Sequence, residues 1–391
     1  MQKFMRTRRE MADFLEKTMS HAYEALEEKQ KLEADTSLLK TYMLEAHAPG
    51  HRNEDVLSVV ASAFSHDILG QNAKGEVTKS DEEFFYNVEV RWASNSAEFY
   101  VDATDSRFWV LHTLSKARSV DQIYKRLLMS DSRLDSAWLP IQILDNVSHM
   151  GKFRGLGLDF DRSKISDVNF DEPDAPVESL KMQLWGNRAR DVLKLLSDNK
   201  DGFPEATTLS KVRVKYHLNK AENEGAFSLD DVKWDGKITA RGTSFDSHIS
   251  LVTSVYKEYS DKVRKLEDVF SLRYGREHEG HFLPSMSGSP LNVTFSKPLP
   301  NLEKFLSSVF SGAEPFRLWG VPVQLAETFY RVNAVDMHVS HRIIFEISPE
   351  YMRVYLPDGS CGNTIARLYC NLQHGYDSRV SLKSGEGEPF F

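Results

Sequence analysis

The chain has 391 residues, of which 41% are hydrophobic and 27% are charged, and its formal net charge is −8. This length and composition predict two or three domains of a soluble globular protein. The negative net charge excludes a protein whose whole surface is basic, but it allows a local basic surface. No apolar run reaches the roughly 20 residues of a membrane span, and the first residues lack the apolar segment of a secretory signal. Since Cys361 and Cys370 are the only cysteines, we expect no disulfide framework and predict a cytoplasmic protein.

Residues 1–48 are predicted to form an N-terminal helical segment, with one amphipathic helix over residues 2–35. Its apolar residues recur at spacings of three, four and seven, which places them on one stripe: Phe4, Met11, Leu15, Met19, Ala22 and Leu26. The stripe has two interpretations. It packs against its own domain, or it joins two copies into a homo-oligomer; the heptads are too few to specify a coiled coil.

The acidic stretch around Pro173 and Pro176 is the best candidate for a linker, which we place at residues 167–179. It would separate a first α+β domain at 49–166 from a second at 180–380. Residues 381–391 are predicted to be a flexible acidic tail.

A strand-strand-helix pattern occurs three times along the chain. This rhythm predicts an α+β fold with antiparallel sheets, each covered by helices on one face and exposed on the other. The three units are Asn87–Trp92 with Ala97–Val101 and a helix near Asp105; Lys211–Leu218 with the hairpin Val232–Arg241 and a helix near Asp246; and Arg342–Ser348 with Met352–Leu356 and a helix near Asn363. Further helices are predicted over Leu180–Leu196 and, within the second unit, Asp246–Phe270.

The second unit carries the strongest candidate for a binding surface. Strand alternation places Val212, Val214, Tyr216 and Leu218 inward. The same alternation gathers cations on the outer face, which are Lys211, Arg213, Lys215, Lys237 and Arg241. Such a face suits phosphate backbones, although outward residues of any half-exposed strand are often long and polar. Trp234 and Tyr216 are candidates for base stacking, the inward position of Tyr216 counting against it.

The first unit has the opposite charge. Glu89, Glu98 and Asp102 would lie on one face of adjacent strands, where three carboxylates could hold Mg²⁺ for hydrolysis. A solvated acidic surface is the simpler interpretation, because a complete catalytic site is not visible in the sequence.

Other motifs have simpler structural explanations. Asp235-Gly236 predicts a two-residue hairpin turn in which glycine supplies the positive φ, although Asp235-Gly-Lys237 also fits an acid-x-Lys nuclease signature. The histidines of 277–281 and of Asp336–His341 lack the spacing of a zinc motif, so we interpret them as surface-loop histidines. Cys361, just before a helix, is interpreted as a structural thiol. We therefore predict no catalytic residue, metal site or cofactor.

The last seven residues, Gly385–Phe391, resemble the acidic, phenylalanine-terminated tips of single-stranded-DNA-binding proteins of bacteria and phages, which implies a contact with a protein partner. Our first hypothesis is a non-catalytic nucleic-acid-binding or assembly protein that contacts phosphates through the basic strand face. The alternatives are a metal-dependent nuclease or other hydrolase and a structural scaffold. Whether the protein is an enzyme, and whether DNA or RNA is bound, stay open.

Overall fold

The computed structural model describes residues 4–27, 38–47, 56–65, 73–163, 177–198, 204–218, 225–275, 285–385 and 387–391. The chain divides into two compact units, each of which is built from three separate segments of the sequence. Unit 1 comprises Met1–Ala137, Asp145–Arg154 and Val212–Lys257, and unit 2 comprises Trp138–Leu144, Gly155–Lys211 and Glu258–Phe391. The boundary predicted at 167–179 falls within a segment of unit 2, and most of that stretch lies outside the described residues.

Helices and antiparallel sheets confirm the predicted α+β class. The described α-helices are α1 (Arg8–Glu27), α2 (Val56–Ser65), α3 (Ala117–Ser130), α4 (Ile141–Met150), α5 (Ala189–Asp198), α6 (Phe245–Lys265), α7 (Leu302–Val309) and α8 (Gly362–Gly375). A 3-10 helix lies at Pro204–Ala206 and a π-helix at Leu266–Phe270. The strands up to Gly242 are β1 (Leu39–Ala46), β2 (Lys74–Lys79), β3 (Phe85–Trp92), β4 (Asn95–Asp102), β5 (Phe108–Thr113), β6 (Leu134–Ser136), β7 (Lys152–Asp161), β8 (Ser179–Trp185), β9 (Leu209–Tyr216), β10 (Ser228–Lys233) and β11 (Lys237–Gly242). The later strands are β12 (Ser271–Gly275), β13 (Ser285–Ser287), β14 (Leu291–Thr294), β15 (Leu318–Ala326), β16 (Phe329–Asp336), β17 (Arg342–Ile347), β18 (Tyr351–Pro357) and β19 (Ser381–Lys383). None of the described helices has the length and hydropathy needed to cross a membrane.

Unit 1 is a sheet with helices on both faces, so the prediction that one face stays exposed is wrong for this sheet. Its strand order is β2-β3-β4-β5-β1-β11-β10-β9, with β6 beside β1. Alternation along β1 sends Tyr42 and Leu44 into a core formed with α2 and α3, while Leu39 packs with α1 and the start of α6. We call the two sides the α3 face and the α1 face.

Helix α1 confirms the predicted N-terminal helix, although it begins at Arg8 and is described only to Glu27. The predicted helical segment 1–48 is wrong at its end, where Leu39–Ala46 forms strand β1. Met11, Leu15 and Met19 are buried against the unit's own sheet with Phe85 and Ala240. This part of the apolar stripe therefore packs against its own domain, the first of the two interpretations, whereas Phe4 is exposed. Consequently the buried side chains are not available to join two copies.

The first strand-strand-helix unit is only partly as predicted. β3 and β4 pair antiparallel, but the helix expected near Asp105 does not form there. The Asp105 carboxylate instead accepts hydrogen bonds from the backbone N–H groups of Arg107 and Phe108, which makes a turn. That turn leads into β5, and helix α3 begins only at Ala117. The local chemistry of an N-cap and of an Asx turn is the same, which explains the error.

The second and third units form, although β10 begins at Ser228 instead of Val232, and α6 ends at Lys265, where a π-helix over Leu266–Phe270 follows. β10 and β11 pair as a hairpin that leads into α6, and β17 and β18 lead into α8. The helix predicted over Leu180–Leu196 is wrong in its first half, because β8 pairs with β7 through the register Gly155↔Trp185 to Asp161↔Ser179. Leu180, Met182 and Leu184 alternate as in a strand, and Gly186, with φ +108°, separates β8 from α5.

The larger sheet of unit 2 has the order β13-β12-β18-β17-β16-β15, with β14 joining β18 to β19. The neighbouring pairs are antiparallel except for β12 and β18. Helices α7 and α8 bury one face, where Phe305, Phe345 and Leu368 belong to a single apolar core. In unit 2, β7 also lies between β8 and the first residues of β9.

The outermost strand of this sheet, β15, has an unusual composition. Alternate side chains on one face are exposed and apolar, and they are Trp319, Val321, Val323 and Leu325. On the strand's outer edge, the backbone N–H of Gly320 donates to the carbonyl of Phe310, and the carbonyl of Leu318 accepts from Gly312. Pro322 has the same orientation by the two-residue period, so its nitrogen, which carries no hydrogen, points away from β16.

The C-terminal residues differ from the predicted flexible tail. Phe390 is buried in the core of unit 2 and lies edge-on to Phe270, with ring centroids 5.4 Å apart. Its carbonyl accepts a hydrogen bond from Lys262 Nζ at 2.6 Å, and Phe391 stacks on Tyr369. Burial of two aromatic rings offsets the loss of chain entropy, an effect that the acidic composition hides.

Candidate nucleic-acid interface

The predicted cations of unit 1 lie on the α3 face, on strands β9 and β11. We define the basic face as Arg213 and Lys215 of β9 with Lys237 and Arg241 of β11. Lys237 is opposite Tyr42 in the sheet register, and Tyr42 packs on the α3 face, so the side chain of Lys237 lies on that face too. Val212 and Val214 are buried on the α1 face, as alternation predicts.

Of the other two predicted inward residues, Tyr216 faces a helix and Leu218 does not lie inward. Tyr216 is half-buried, and its hydroxyl lies 3.3 Å from Ser250 Oγ of α6, so it faces the helix and is not placed for stacking. Leu218 lies beyond the end of β9 and is half exposed. Trp234, in the β10–β11 turn, is half-buried.

One carboxylate lies between the arginines of the basic face. Asp231 of β10 accepts two hydrogen bonds from Arg213, at 2.5 Å from Nε to Oδ1 and 2.6 Å from Nη2 to Oδ2. Arg241 Nη2 lies 3.6 Å from the same carboxylate. Sequence reasoning missed Asp231 because it began the hairpin strand at Val232, whereas β10 begins at Ser228. The signal was the alternation of Ser228, Asp230 and Val232 against Leu229 and Asp231.

Lys237 has a second acidic neighbour. Its Nζ lies 2.5 Å from Oδ1 of Asp121 on α3, and the hydroxyl of Tyr42 donates to the same oxygen. Lys40 of β1, which is buried, directs its Nζ to the carbonyls of Leu38 and Ser115 at 2.7 and 2.6 Å. Burial, together with the charge of Lys237, lowers the pKa of Lys40 to about 8.

Arg241 is similarly crowded. Burial, together with the charge of Arg213, lowers the pKa of Arg241. Its Nε is buried and makes no hydrogen bond with any described atom. The basic face therefore holds cations close enough to destabilise one another, even with Asp231 between the two arginines.

Two of the predicted lysines lie over aromatic rings. Lys215 Nζ is 3.6 Å from the centroid of Phe227 in unit 1. Lys211 is the last residue of a unit 2 segment, and its Nζ is 4.8 Å from the centroid of Trp185. A cation over a ring is attracted by the ring quadrupole, which holds each ammonium in place.

The three carboxylates of the alternative hypothesis do not converge. Glu89 and Glu98 are opposite each other in the β3–β4 register, but Asp102 is opposite Phe85, near the other end of that pair. Arg91 lowers the pKa of Glu89 through a two-point hydrogen bond at 2.7 and 2.6 Å. Burial, together with the charge of Glu89, raises the pKa of Glu98.

Asp102 is neutralised separately. Arg8 of α1 donates to it from Nε at 2.7 Å and from Nη2 at 3.0 Å. Burial by itself would raise the pKa of Asp102, but hydrogen bonds from Arg8 and Thr104 outweigh burial and lower it. Because Arg91 and Arg8 occupy Glu89 and Asp102, a magnesium ion would have to displace an arginine from each carboxylate.

The remaining motifs have structural roles. The hairpin turn forms, but the N–H of Gly236 donates to the carbonyl of Lys233, so Trp234 and Asp235 are its central residues and Gly236 follows with φ +75°. The predicted two-residue Asp235-Gly236 turn is therefore displaced by one residue. Residues 277–281 lie outside the described part of the chain.

Two further interpretations concern unit 2. His338 is buried, and its backbone N–H donates to Asp336, so it is not a surface-loop histidine. Cys361 and Cys370 are buried, and burial raises the pKa of Cys370 well above its usual range.

A buried chain of hydrogen-bonded side chains, which the sequence did not reveal, crosses the α1 face; we call it the buried polar chain. His248 Nδ1 lies 2.6 Å from Asp230 Oδ1, and Thr41 Oγ1 lies 2.8 Å from His248 Nε2 and 2.9 Å from His112 Nδ1. His248 donates to Asp230, and the Thr41 hydroxyl, which can both donate and accept, forms one hydrogen bond with each imidazole. Thr41 is fully buried, so this chain connects β1, β5, β10 and α6 and presents no nucleophile to a substrate.

The fold and the basic face define an α+β protein with clustered sheet cations. The family model described as MJECL33-like protein matches residues 1–391, so the chain belongs to that family. It is also similar to uncharacterized protein MJECL33 of Methanocaldococcus jannaschii, with 27% identity over 408 aligned residues. The alignment covers 96% of this chain and 93% of that relative.

Proposed function

We propose that the protein binds nucleic acid without cleaving it, through contacts between the basic face and the phosphate backbone. The observation that carries the proposal is the crowding of cations in unit 1. Burial and neighbouring cations lower the pKa of Lys40 and of Arg241. A phosphate that entered this face would relieve the repulsion and would supply an acceptor for the buried Nε of Arg241.

The alternatives have less support. Magnesium-dependent hydrolysis would need Glu89 and Asp102, which Arg91 and Arg8 engage. A scaffold protein has no reason to concentrate cations on a half-buried sheet face, because exposed polar residues serve solubility equally well. Action in the cytoplasm, where nucleic acids are abundant and thiols stay reduced, is part of the proposal.

The test is binding of fluorescently labelled oligonucleotides at increasing salt. The variant Lys215→Gln/Arg241→Gln removes two cations of the basic face and leaves the Arg213–Asp231 pair intact. We expect weaker binding at low salt. For duplex DNA, the slope of log K against the logarithm of the salt concentration should become shallower by about 1.8, since each lost phosphate contact accounts for about 0.9.

The control variant is Lys125→Gln/Arg126→Gln, which removes the same charge from exposed positions on α3. It should leave the affinity nearly unchanged. If wild-type protein does not bind at low salt, or if both variants weaken binding equally, the basic face is not the binding site and the proposal is wrong.

A further inference from the structure

Outside the basic face, one exposed aromatic ring in unit 2 is held in a specific position. Trp185 ends the edge strand β8 and is 48% exposed. It is opposite Gly155 of β7, where a Cβ would lie 2.5 Å from Cε3 of the indole. Only glycine therefore leaves room for the ring at this position, and Gly155 has φ +154°, which other residues rarely adopt.

A second glycine of β7 makes room for the cation beside this ring. A Cβ on Gly157 would lie 3.3 Å from Cβ of Lys211, and the Gly157 carbonyl accepts a hydrogen bond from Ser210 Oγ at 3.0 Å. The Lys211 ammonium lies 4.8 Å from the Trp185 ring centroid. The two glycines thus allow an indole and an ammonium to meet on a sheet surface that remains half open to solvent.

We infer that Trp185 and Lys211 form a stacking site for an unpaired nucleobase, so that the preferred ligand is single-stranded nucleic acid. This inference rests on the proposed function. The Lys211 ammonium lies over the Trp185 indole, and the exposed part of this indole leaves area on which a planar ligand can stack. Each nucleotide supplies a base that stacks on an aromatic ring and a phosphate that pairs with a lysine.

The ligand class follows from this combination. In a duplex the bases are stacked on one another and their flat faces are not accessible to a side chain. Trp185 can therefore contribute to binding only when the strand is unpaired, whereas the basic face contributes to both forms. The two sites are thus separable by experiment.

The test compares a labelled oligothymidylate with a duplex of the same length, at one salt concentration. Trp185→Ala should weaken binding of the single strand about tenfold or more, because stacking on an aromatic ring contributes strongly per base. It should leave binding of the duplex unchanged. Trp185→Phe should restore most of the affinity while removing the indole fluorescence that the ligand quenches.

Trp319→Ala is the matched control, since Trp319 is also on an edge strand of unit 2 and is 53% exposed. If Trp185→Ala and Trp319→Ala bind the single strand equally well, or if Trp185→Ala weakens the duplex as much as the single strand, the stacking site is wrong and the proposed function stands. If wild-type protein binds neither oligonucleotide, the proposed function is wrong, and the stacking site that rests on it is wrong as well. Circular dichroism of each variant shows that the fold is retained.

Discussion

Arg213 and Asp231 lie on the neighbouring strands β9 and β10 and are joined by two hydrogen bonds, of 2.5 and 2.6 Å. Their side chains are only 14% and 10% exposed. The same carboxylate is 3.6 Å from Arg241. Asp231 is therefore an internal anion beside two guanidinium groups, and under the proposed function it would compete with a phosphate for both of them.

Asp231→Asn should bind nucleic acid more tightly than wild type and with a steeper salt dependence, because one competing charge is lost. Its stability should fall by about 1–3 kcal/mol, since Arg213 loses its charged partner in a largely buried place. Oligonucleotide titration and urea denaturation measure the two effects. Asp13→Asn, which removes the same charge from an exposed position on α1, should alter neither; weaker binding by Asp231→Asn would contradict the competition.

Lys40 predicts a pH dependence of stability. Its pKa falls from about 10.5 to about 8 on folding, so between these values the unfolded chain holds a proton that the folded protein lacks. Stability should therefore rise with pH across this window, by up to about 3 kcal/mol from this group. Compared with Lys40→Met, wild-type protein should gain stability between pH 8 and pH 10 in urea denaturation. Parallel curves for the two proteins would show that Lys40 titrates normally.

Thr41 is the centre of the buried polar chain, so its hydroxyl should matter more than its size. Thr41→Val keeps the shape but removes the hydrogen-bond partner of His112 Nδ1 and of His248 Nε2, which should cost about 2–4 kcal/mol, although His248 Nδ1 keeps its bond to Asp230. Thr41→Ser keeps the hydroxyl and should cost about 1 kcal/mol for the lost methyl group. Equal losses in denaturant would mean that packing, and not hydrogen bonding, determines the effect.

The buried polar chain should also make the stability of unit 1 decrease in acid. Burial, together with the charge of His248, lowers the pKa of His112 to about 3, whereas an unfolded histidine titrates near 6.5. As pH falls from 6.5 towards 3, only the unfolded chain takes up this proton, so stability decreases. His112→Gln removes the titration, and its melting temperature should therefore decrease less than that of wild type between pH 6 and pH 4.

Asp336 and Arg367 form an ion pair in unit 2 with both side chains fully buried, at 2.7 Å. Thr364 also donates to Asp336, and Arg367 Nε donates to the carbonyl of Phe316 at 2.8 Å. Either Asp336→Leu or Arg367→Met should lose about 3–5 kcal/mol, because one charge stays buried alone. The double variant should be more stable than either single variant in urea denaturation. If the two losses simply add, the ion pair is not the source of the effect.

Alternation and helical periodicity are local properties, and they predicted β9, the β10–β11 hairpin, α6 and α8. They failed at Leu180–Leu184, where spacings of two and four fit both a strand and a helix, and at Asp105, where a carboxylate makes the same bonds in a turn as in a cap. The buried chain from Asp230 to His112 could not be predicted. Its members are far apart in sequence, and only strand order brings them together.

The basic face shows the same limit. Its cations follow from alternation, but their effect on one another depends on which strands are neighbours. Asp231 and Asp121 reach these cations from β10 and α3, and neither contact has a sequence motif. The two glycines of β7 were visible in the sequence, yet only the pairing with β8 reveals that Gly155 accommodates Trp185.

Pro322 has a consequence for the protein at high concentration. An outermost strand with a row of exposed apolar side chains is a template on which a strand of another molecule could add, and growth of this kind leads to fibrils. A strand that approached β15 would find no hydrogen-bond donor at Pro322, and it would meet residues 310–312 beside Leu318 and Gly320. The protein can therefore keep Trp319, Val321, Val323 and Leu325 exposed while its sheet resists extension from molecule to molecule.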